Sequence, residues 1–127
     1  MNFTLPDCYK NILITGGSGF IGGHLISWLL KNSSSIIYNL DKLSYSSDKT
    51  HIEKELKLSS ELNLSRYRLL NVDLKDFKKT QKAVEISNPD LVMHLAAESH
   101  VDRSIESPKV FIESNIFGTY NLLESIR

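Results

Sequence analysis

A run of glycines follows the first apolar stretch of this chain. Residues 16–22 read Gly-Gly-Ser-Gly-Phe-Ile-Gly and come one threonine after the apolar residues 12–14. Glycine at this spacing allows three things that a Cβ would prevent. Gly16 permits a tight turn out of a strand, Gly19 lets a diphosphate approach the main chain, and Gly22 lets the next helix pack closely on the strand. The pattern therefore predicts a strand, a phosphate-binding turn and a helix, in that order.

Main-chain and acidic groups complete the pattern of a dinucleotide site. The amides of Phe20 and Ile21, in the first turn of the predicted helix, would face the phosphates. Asp41 ends the second predicted strand, about 20 residues beyond the glycines, where a carboxylate accepts hydrogen bonds from ribose hydroxyls and repels a 2′-phosphate. We therefore expect NAD rather than NADP, although Lys42 beside it could support NADP. Asp73, after the third strand, suits the adenine rim and could equally cap the next helix.

Strand-like and helix-like segments alternate along the chain, which is typical of βαβ units with a parallel sheet. We predict strands at 11–15, 36–40, 66–72 and 91–96, and helices at 19–31, 48–58, 76–87 and from 107 onward. This order predicts an α/β fold of the Rossmann type, a doubly wound parallel sheet that is incomplete because about four strands are present. We expect residues 1–127 to be the N-terminal portion of an NAD-binding domain, without a substrate-binding domain.

The spacing of apolar residues predicts which face of each helix is buried. The expected buried positions are Ile21, Leu25, Trp28 and Leu29 in the first helix, Phe77, Val84 and Ile86 in the helix at 76–87, and Val110, Ser114, Phe117 and Leu122 in the last. Ser107 and Pro108 suit the start of that last helix. His94 lies on a predicted buried strand, where we expect a hydrogen-bonded core histidine.

Charge and cysteine content exclude several classes of protein. Fifteen basic residues balance fifteen acidic ones, and no strong electrostatic footprint for nucleic acid or an anionic membrane follows from that balance. Cys8 is the only cysteine, which rules out a disulfide within one chain and fits a reducing cytosol. The N-terminus has no signal-peptide pattern, and no apolar run approaches the roughly 20 residues that cross a bilayer. We therefore expect a cytoplasmic location, and we find no spacing of ligands that predicts a metal site.

Three further stretches are more specific than the glycines. Residues 94–105 read His-Leu-Ala-Ala-Glu-Ser-His-Val-Asp-Arg-Ser-Ile, residues 41–45 read Asp-Lys-Leu-Ser-Tyr, and residues 115–124 read Asn-Ile-Phe-Gly-Thr-Tyr-Asn-Leu-Leu-Glu. Together with the glycine loop they closely resemble dTDP-glucose 4,6-dehydratases, which belong to the extended short-chain dehydrogenase/reductase family. The resemblance runs from about residue 11 to residue 127 and is loosest between residues 46 and 65.

The resemblance implies a role for each matching position. Phe20 and Ile21 would contact the pyrophosphate, Asp41, Lys42, Leu43 and Ser44 the adenosine ribose, and Asp73 and Leu74 the adenine. Leu95, Ala96, Ala97 and Glu98 would run beneath the cofactor, with Ser99 on the substrate side and Ser114 near the nicotinamide half. The family usually has threonine at the position of Ser114, and serine keeps the hydroxyl.

The resemblance also implies a reaction and its missing parts. In the family, NAD takes a hydride from C4 of the hexose of dTDP-glucose, water leaves across C5 and C6, and the hydride returns to C6. A Tyr-x-x-x-Lys pair and a Thr-Asp-Glu run carry this chemistry downstream of the matched region, so we expect this chain alone to be inactive. Tyr38 with Lys42 and Tyr45 with Lys49 have that spacing but not the helical setting. The family dimerises through a helix pair, to which the last helix would contribute one member.

Two other interpretations stay open from the sequence. The chain could belong to another extended-family enzyme, such as a nucleotide-sugar epimerase, because the glycine motif is shared by the whole superfamily. It could also be a short NAD-binding protein without catalysis.

Overall fold

A computed structural model describes residues 8–44, residue 54 and residues 61–127 of the chain. Its strands and helices, in chain order, are β1 (Asn11–Thr15), α1 (Phe20–Asn32), β2 (Ile36–Asp41), α2 (Glu61–Ser65), β3 (Tyr67–Asn71), α3 (Phe77–Ser87), β4 (Leu91–His94), α4 (Val101–Glu106), α5 (Pro108–Phe111), a π-helical segment (Ile112–Phe117) and α6 (Gly118–Ile126). The helix expected at 48–58 lies outside the described residues, apart from residue 54, which is helical.

The four strands form one parallel sheet in the order β3-β2-β1-β4. From β1 the chain first adds β2 and β3 on one side and then crosses to place β4 on the other side. The direction of strand addition therefore reverses between β1 and β4. Parallel strands end at the same edge of a sheet, and ligands of such folds bind at that edge, beside the reversal. The predicted Rossmann-type fold is confirmed.

Alternating side chains of the central strand bury two separate cores. Ile12 and Ile14 of β1 point to the face covered by α1, whereas Leu13 points to the face covered by α3 and α6. Adjacent residues of a strand face opposite sides, so a strand that is apolar throughout has to be covered twice. The sheet is therefore packed on both faces, as a doubly wound sheet requires.

The expected buried face of α1 is wrong at two positions. Leu29 is buried and Leu25 packs partly against the core, but Ile21 and Trp28 are exposed. The buried face also contains Gly22, Gly23, Ile26 and Leu30. The glycine face of α1 packs on the sheet because only residues without a Cβ allow the first turn to lie so close to β1. In this orientation Ile21 lies on the side of the helix that faces away from the sheet.

Two other helices also bury residues that apolar spacing alone does not select. In α3, Val84 is buried while Phe77 and Ile86 are exposed, and the small residues Thr80, Ala83 and Ser87 complete the packed face. In the last helical stretch, Leu122 is buried while Val110 and Phe117 are exposed. Small polar residues pack where helices approach closely, and hydropathy does not identify them.

Helix caps and helix boundaries differ from the sequence interpretation in four places. Asp76, not Asp73, caps α3 by accepting a hydrogen bond from the Lys79 amide. Ser107 precedes α5 but its side chain makes no capping hydrogen bond. The short helix α4 was not predicted, and the last helix contains the π-helical segment between α5 and α6. π-Helical turns are rare and have no strong sequence signal.

Candidate functional site

A cavity of about 410 Å³ opens at the carboxyl edge of the sheet, and we call it the edge cavity. Its volume falls in the usual range for ligand sites. The residues that line it are Gly16, Gly19, Phe20, Ile21, Gly22, Leu40, Asp41, Lys42, Ser44, Val72, Asp73, Leu74, Leu95, Ala96, Ala97, Glu98, Ser99, His100 and Ser114. All the predicted site residues except Leu43 are therefore brought together.

The glycine turn lies against main chain on two sides. Gly16 has a φ of +70°, and a Cβ there would lie 2.7 Å from the main chain of Ala96. A Cβ on Gly22 would lie 2.3 Å from the carbonyl oxygen of Gly16 and 2.6 Å from the Cα of Gly17. A Cβ on Gly19 would meet only the Gly16 oxygen, at 3.3 Å. Gly16 and Gly22 are thus required by the fold, whereas Gly19 leaves room on the side of the cavity.

The first turn of α1 presents main-chain donors to the edge cavity. Gly19 is the N-cap of α1 and offers no side-chain hydrogen bond. The first helical bond runs from the Gly23 amide to the Gly19 oxygen at 2.8 Å, so the amides of Phe20 and Ile21 precede the helical ladder. Both side chains point outward, with exposed fractions of 79% and 71%. This is the arrangement in which helix N-termini bind phosphate.

Asp41 ties the end of β2 to the glycine turn. One carboxylate oxygen accepts a hydrogen bond from the Ser18 amide at 3.0 Å, and the other accepts from the Leu43 amide at 2.8 Å. The side chain is buried but still lines the edge cavity. The Leu43 amide bond draws that residue into a left-handed conformation with a φ of 56°, and Leu43 does not line the cavity. Asp41 therefore shapes the loop as well as facing the cavity.

Asn39 supports the glycine turn from below and was not selected from the sequence. Its Nδ2 donates to the Ser18 hydroxyl at 3.1 Å and to the Tyr67 hydroxyl at 3.0 Å. A Cβ on Gly17 would collide with its Oδ1 and with the Cδ1 of Ile26, so a side chain at position 17 would have to displace the Asn39 amide group. Burial raises the pKa of Tyr67, although the hydrogen bond from Asn39 works in the opposite direction. The only sequence signal was a polar residue inside an apolar strand.

Lys42 and Glu98 form an ion pair across the edge cavity. Lys42 Nζ lies 2.8 Å from Glu98 Oε1, and the Glu98 side chain is only 9% exposed. Asn115 fixes the main chain of Glu98, because its Oδ1 accepts from the Glu98 amide at 2.8 Å and its Nδ2 donates to the Glu98 oxygen at 3.0 Å. Glu98 is therefore held from both its main chain and its carboxylate.

The adenine-side residues lie where the third strand ends. Asp73 accepts from the Lys75 amide at 3.0 Å. Leu74 packs in the core, and its carbonyl oxygen accepts from Asn121 at 2.7 Å. Gly118 allows the last helix to approach, since a Cβ there would lie 3.1 Å from the Leu74 Cβ. This contact positions the π-helical segment, and with it Ser114, at the far end of the edge cavity.

His94 connects the sheet to the last helix through a directed chain of hydrogen bonds. The Thr15 hydroxyl accepts from the amides of Leu95 and Ala96, and it lies 2.5 Å from His94 Nδ1. His94 Nε2 lies 2.9 Å from the Thr119 hydroxyl, which donates to a main-chain oxygen. We assign a neutral ring that donates from Nε2 and accepts at Nδ1. Burial lowers the pKa of His94. The expected hydrogen bonds are confirmed, but the ring is half-buried and does not lie in the core as predicted.

Folding stability should therefore fall as the pH drops below about 6.5, the pKa of histidine in an unfolded chain. Below this pH the imidazole of residue 94 is protonated more readily in the unfolded chain than in the folded one. Its contribution to the free energy of unfolding is therefore fully present above about pH 6.5 and decreases as the pH falls towards the lowered pKa of His94. Urea unfolding of wild type and His94→Gln between pH 7.5 and 5.5 measures this effect. We expect wild type to lose more stability than the variant over that interval. Equal losses would contradict the role assigned to His94.

Other candidate centres are not supported in the part of the chain that the structure describes. No group of three His, Cys, Asp or Glu side chains is placed to hold a metal there. Tyr38 lies within β2, where residues four apart do not share a helical face, and Tyr45 and Lys49 lie outside the described residues. None of the described helices combines the length and the apolar character needed to cross a membrane.

The fold and the edge cavity together define a Rossmann-type dinucleotide-binding protein. A parallel sheet covered on both faces, a glycine turn that enters a helix, and an acidic residue ending the next strand are the features of that class. The sequence profile of GDP-mannose 4,6 dehydratase matches residues 13–127, and the chain belongs to that family.

Known relatives agree with this assignment. dTDP-glucose 4,6-dehydratase of Salmonella typhimurium is 47% identical over 116 residues, covering 91% of this chain and 30% of the relative. The UDP-Glc/GlcNAc 4-epimerase of Campylobacter jejuni has a TM-score of 0.78 at 32% identity, over 91% of this chain and 33% of that one. UDP-glucose 4-epimerase of Thermus thermophilus, solved with NAD, has a TM-score of 0.74 at 31% identity, and the match covers 90% of this chain and 32% of that one. The chain spans about a third of the length of these proteins, and the resemblance to dTDP-glucose 4,6-dehydratases is confirmed.

Proposed function

We propose that this chain is the NAD-binding portion of a dTDP-glucose 4,6-dehydratase and that NAD binds in the edge cavity. The observation that carries the proposal is the glycine turn. Gly16 and Gly22 are closed in by main chain, while a Cβ on Gly19, which lines the edge cavity, would have the Gly16 oxygen at 3.3 Å as its one near neighbour among the described residues. A diphosphate fits this place because it needs donors and a close approach to the backbone.

Each end of the cavity suits a different part of the cofactor. Asp41, at the end of β2, would accept hydrogen bonds from the adenosine ribose, and Lys42 and Ser44 would contact the same half. Asp73 would lie beside the adenine. Ala96 and Ala97 would lie beneath the cofactor, because small side chains leave space for a flat ring. Ser114 would approach the nicotinamide half from the π-helical segment.

The chemistry of the whole protein follows from this position. When bound, the cofactor supplies a hydride acceptor for C4 of the sugar and a hydride donor for C6 after water is lost across C5 and C6. In this chain the walls of the edge cavity would orient the ring and limit access of water, and Ser99 would contact the sugar. The Tyr-x-x-x-Lys and Thr-Asp-Glu groups are expected elsewhere in the whole protein, so this chain alone should not dehydrate dTDP-glucose.

Titration of the chain with reduced dinucleotides tests the proposal. NADH fluorescence should change at concentrations where NADPH gives little response, because the buried Asp41 carboxylate accepts a diol and repels a 2′-phosphate. An Asp41→Asn variant removes the negative charge and keeps the shape of the side chain. It should therefore reduce the difference between the affinities for NADH and NADPH. Superimposable curves for NADH and NADPH with wild type would contradict the assignment of Asp41.

A nucleotide-sugar epimerase is the second candidate, because the two solved structures described above are epimerases at 31% and 32% identity. The greater identity to the Salmonella dehydratase, 47%, favours the first. The whole protein decides between them: a dehydratase releases water from dTDP-glucose and forms a 4-keto-6-deoxy sugar, whereas an epimerase inverts C4 and retains the 6-hydroxyl.

Association through the last helix and a cytoplasmic location stay predictions. Ile116, Tyr120 and Leu123 lie in the π-helical segment and α6 and are more than half exposed. An apolar surface of this kind fits a homodimer of the whole protein.

A further inference from the structure

We propose that Glu98 is a specificity-determining residue that withholds Lys42 from the 2′-phosphate of NADP. The proposal rests on the proposed function, because it assumes that a dinucleotide occupies the edge cavity. It assigns the selection of NAD over NADP to Glu98, on the loop after β4, as well as to Asp41 at the end of β2. Lys42 is the only lysine or arginine among the described residues that line the edge cavity. It is therefore the cation there that a 2′-phosphate would need.

The position of Lys42 makes it the natural partner of such a phosphate. It directly follows Asp41, the residue expected to bind the adenosine ribose, and both line the same cavity. A lysine next to the ribose-binding carboxylate would normally weaken selection against NADP, since its ammonium could pair with the extra phosphate. The sequence alone left this ambiguity open.

The ion pair removes Lys42 from that role. Strands β2 and β4 lie on either side of β1, roughly 10 Å apart. Lys42 and Glu98 therefore reach towards each other across the end of β1. Nζ and Oε1 meet at 2.8 Å, with the Lys42 side chain 30% exposed and Glu98 9% exposed. Partial exclusion of water strengthens such a charged hydrogen bond compared with one in bulk solvent.

The contacts of Glu98 favour keeping its ion pair with Lys42. The Asn115 amide group makes two hydrogen bonds to the Glu98 main chain, so the carboxylate starts from a fixed backbone. To pair with a 2′-phosphate, Lys42 would have to leave Glu98 behind as a nearly buried carboxylate, which is costly. The edge cavity is also lined by the carboxylates of Asp41 and Asp73. The negative charge of the cavity therefore favours the neutral ribose diol of NAD over the 2′-phosphate of NADP.

A double-mutant cycle tests the proposal, with NADH and NADPH titrated by fluorescence into wild type, Glu98→Gln, Lys42→Met and the double variant. In Glu98→Gln the ratio of NADPH affinity to NADH affinity should rise at least about fivefold, or roughly 1 kcal/mol. In Lys42→Met the ratio should stay within about twofold of wild type. The double variant should lose the gain of Glu98→Gln, because the gain requires the freed ammonium.

Each alternative outcome has a separate meaning. If wild type binds NADH but Glu98→Gln leaves the ratio unchanged, the role of Glu98 is overturned and the proposed function stands. If the double variant keeps the gain, Glu98 acts as a repelling charge and the proposal is also overturned. If Glu98→Gln does not fold, Lys42→Met decides: a fall in the ratio of more than about fivefold would show that Lys42 already serves NADPH. Failure of wild type to bind NADH would refute the proposed function and this inference with it.

Discussion

Replacing Gly22 with alanine should lower the melting temperature by at least about 10 °C, from a loss of about 3 kcal/mol or more. The new Cβ would lie 2.3 Å from the Gly16 oxygen and 2.6 Å from the Gly17 Cα. Both are main-chain atoms, so no side chain can rotate away and α1 has to move off β1. That movement would also disturb the amides of Phe20 and Ile21. Thermal unfolding followed by circular dichroism measures the loss.

Gly19→Ala is the matched control in the same turn. Its φ of −80° is accessible to alanine, and its Cβ would meet only one oxygen at 3.3 Å, so it should lose about 1 kcal/mol or less. Gly19 lines the edge cavity, so a methyl group there would take up space beside the expected diphosphate, and NADH affinity should fall at least about tenfold. If Gly22→Ala melts within about 2 °C of wild type, the close approach of α1 to β1 is refuted. If Gly19→Ala binds NADH normally, the diphosphate does not lie in this turn.

Replacing Arg66 with methionine should cost about 2–4 kcal/mol of folding stability. The guanidinium donates to the main-chain oxygens of Leu30, Ser33 and Ser35 at 2.6, 2.9 and 2.9 Å, and to the Asn63 side chain at 2.7 Å. It therefore closes the carboxyl end of α1 and fixes the loop that leads into β2. Methionine keeps the length of the side chain but leaves these carbonyl groups without a donor from residue 66.

Arg68→Met is the control for this effect. Arg68 is exposed, and among the described residues its guanidinium donates only to the neighbouring oxygens of Ser65 and Tyr67, at 2.6 and 2.8 Å. Contacts this local and this exposed should contribute less than about 1 kcal/mol. Urea unfolding of both variants gives the comparison. Losses that agree within about 0.5 kcal/mol would refute the anchoring role of Arg66, since the two substitutions are chemically the same.

The sequence could predict which residues line the edge cavity because that prediction depends on local signals. Glycines at 16, 19 and 22 define a strand, a turn and a helix, and Asp41 ends the next strand. Parallel topology then brings both to one edge of the sheet, which is a property of the fold class and needs no side-chain detail. For this reason sixteen of the seventeen predicted site residues line the edge cavity, and only Leu43 does not.

The parts that were missed depend on contacts between distant residues. Asn39 reaches Tyr67, and Lys42 reaches Glu98, across separations of 28 and 56 residues. A pattern in one segment does not specify such a partner. The outward rotation of Ile21 has the same origin, because it follows from the close contact of Gly22 with the preceding turn. Hydropathy gives the period of a helix, but steric contact with its neighbours decides which face is buried.

The central claim is that main-chain amides at the start of α1 bind a diphosphate while Asp41 binds the ribose. An NMR titration of the isotope-labelled chain with NAD tests it most directly, because amide shifts report the contact residue by residue. The largest shifts should fall on the amides of Gly19, Phe20 and Ile21, with a second group around residues 41–44. Saturation by NAD without shifts at the glycine turn, or with the largest shifts on the outer face of α3, would contradict it.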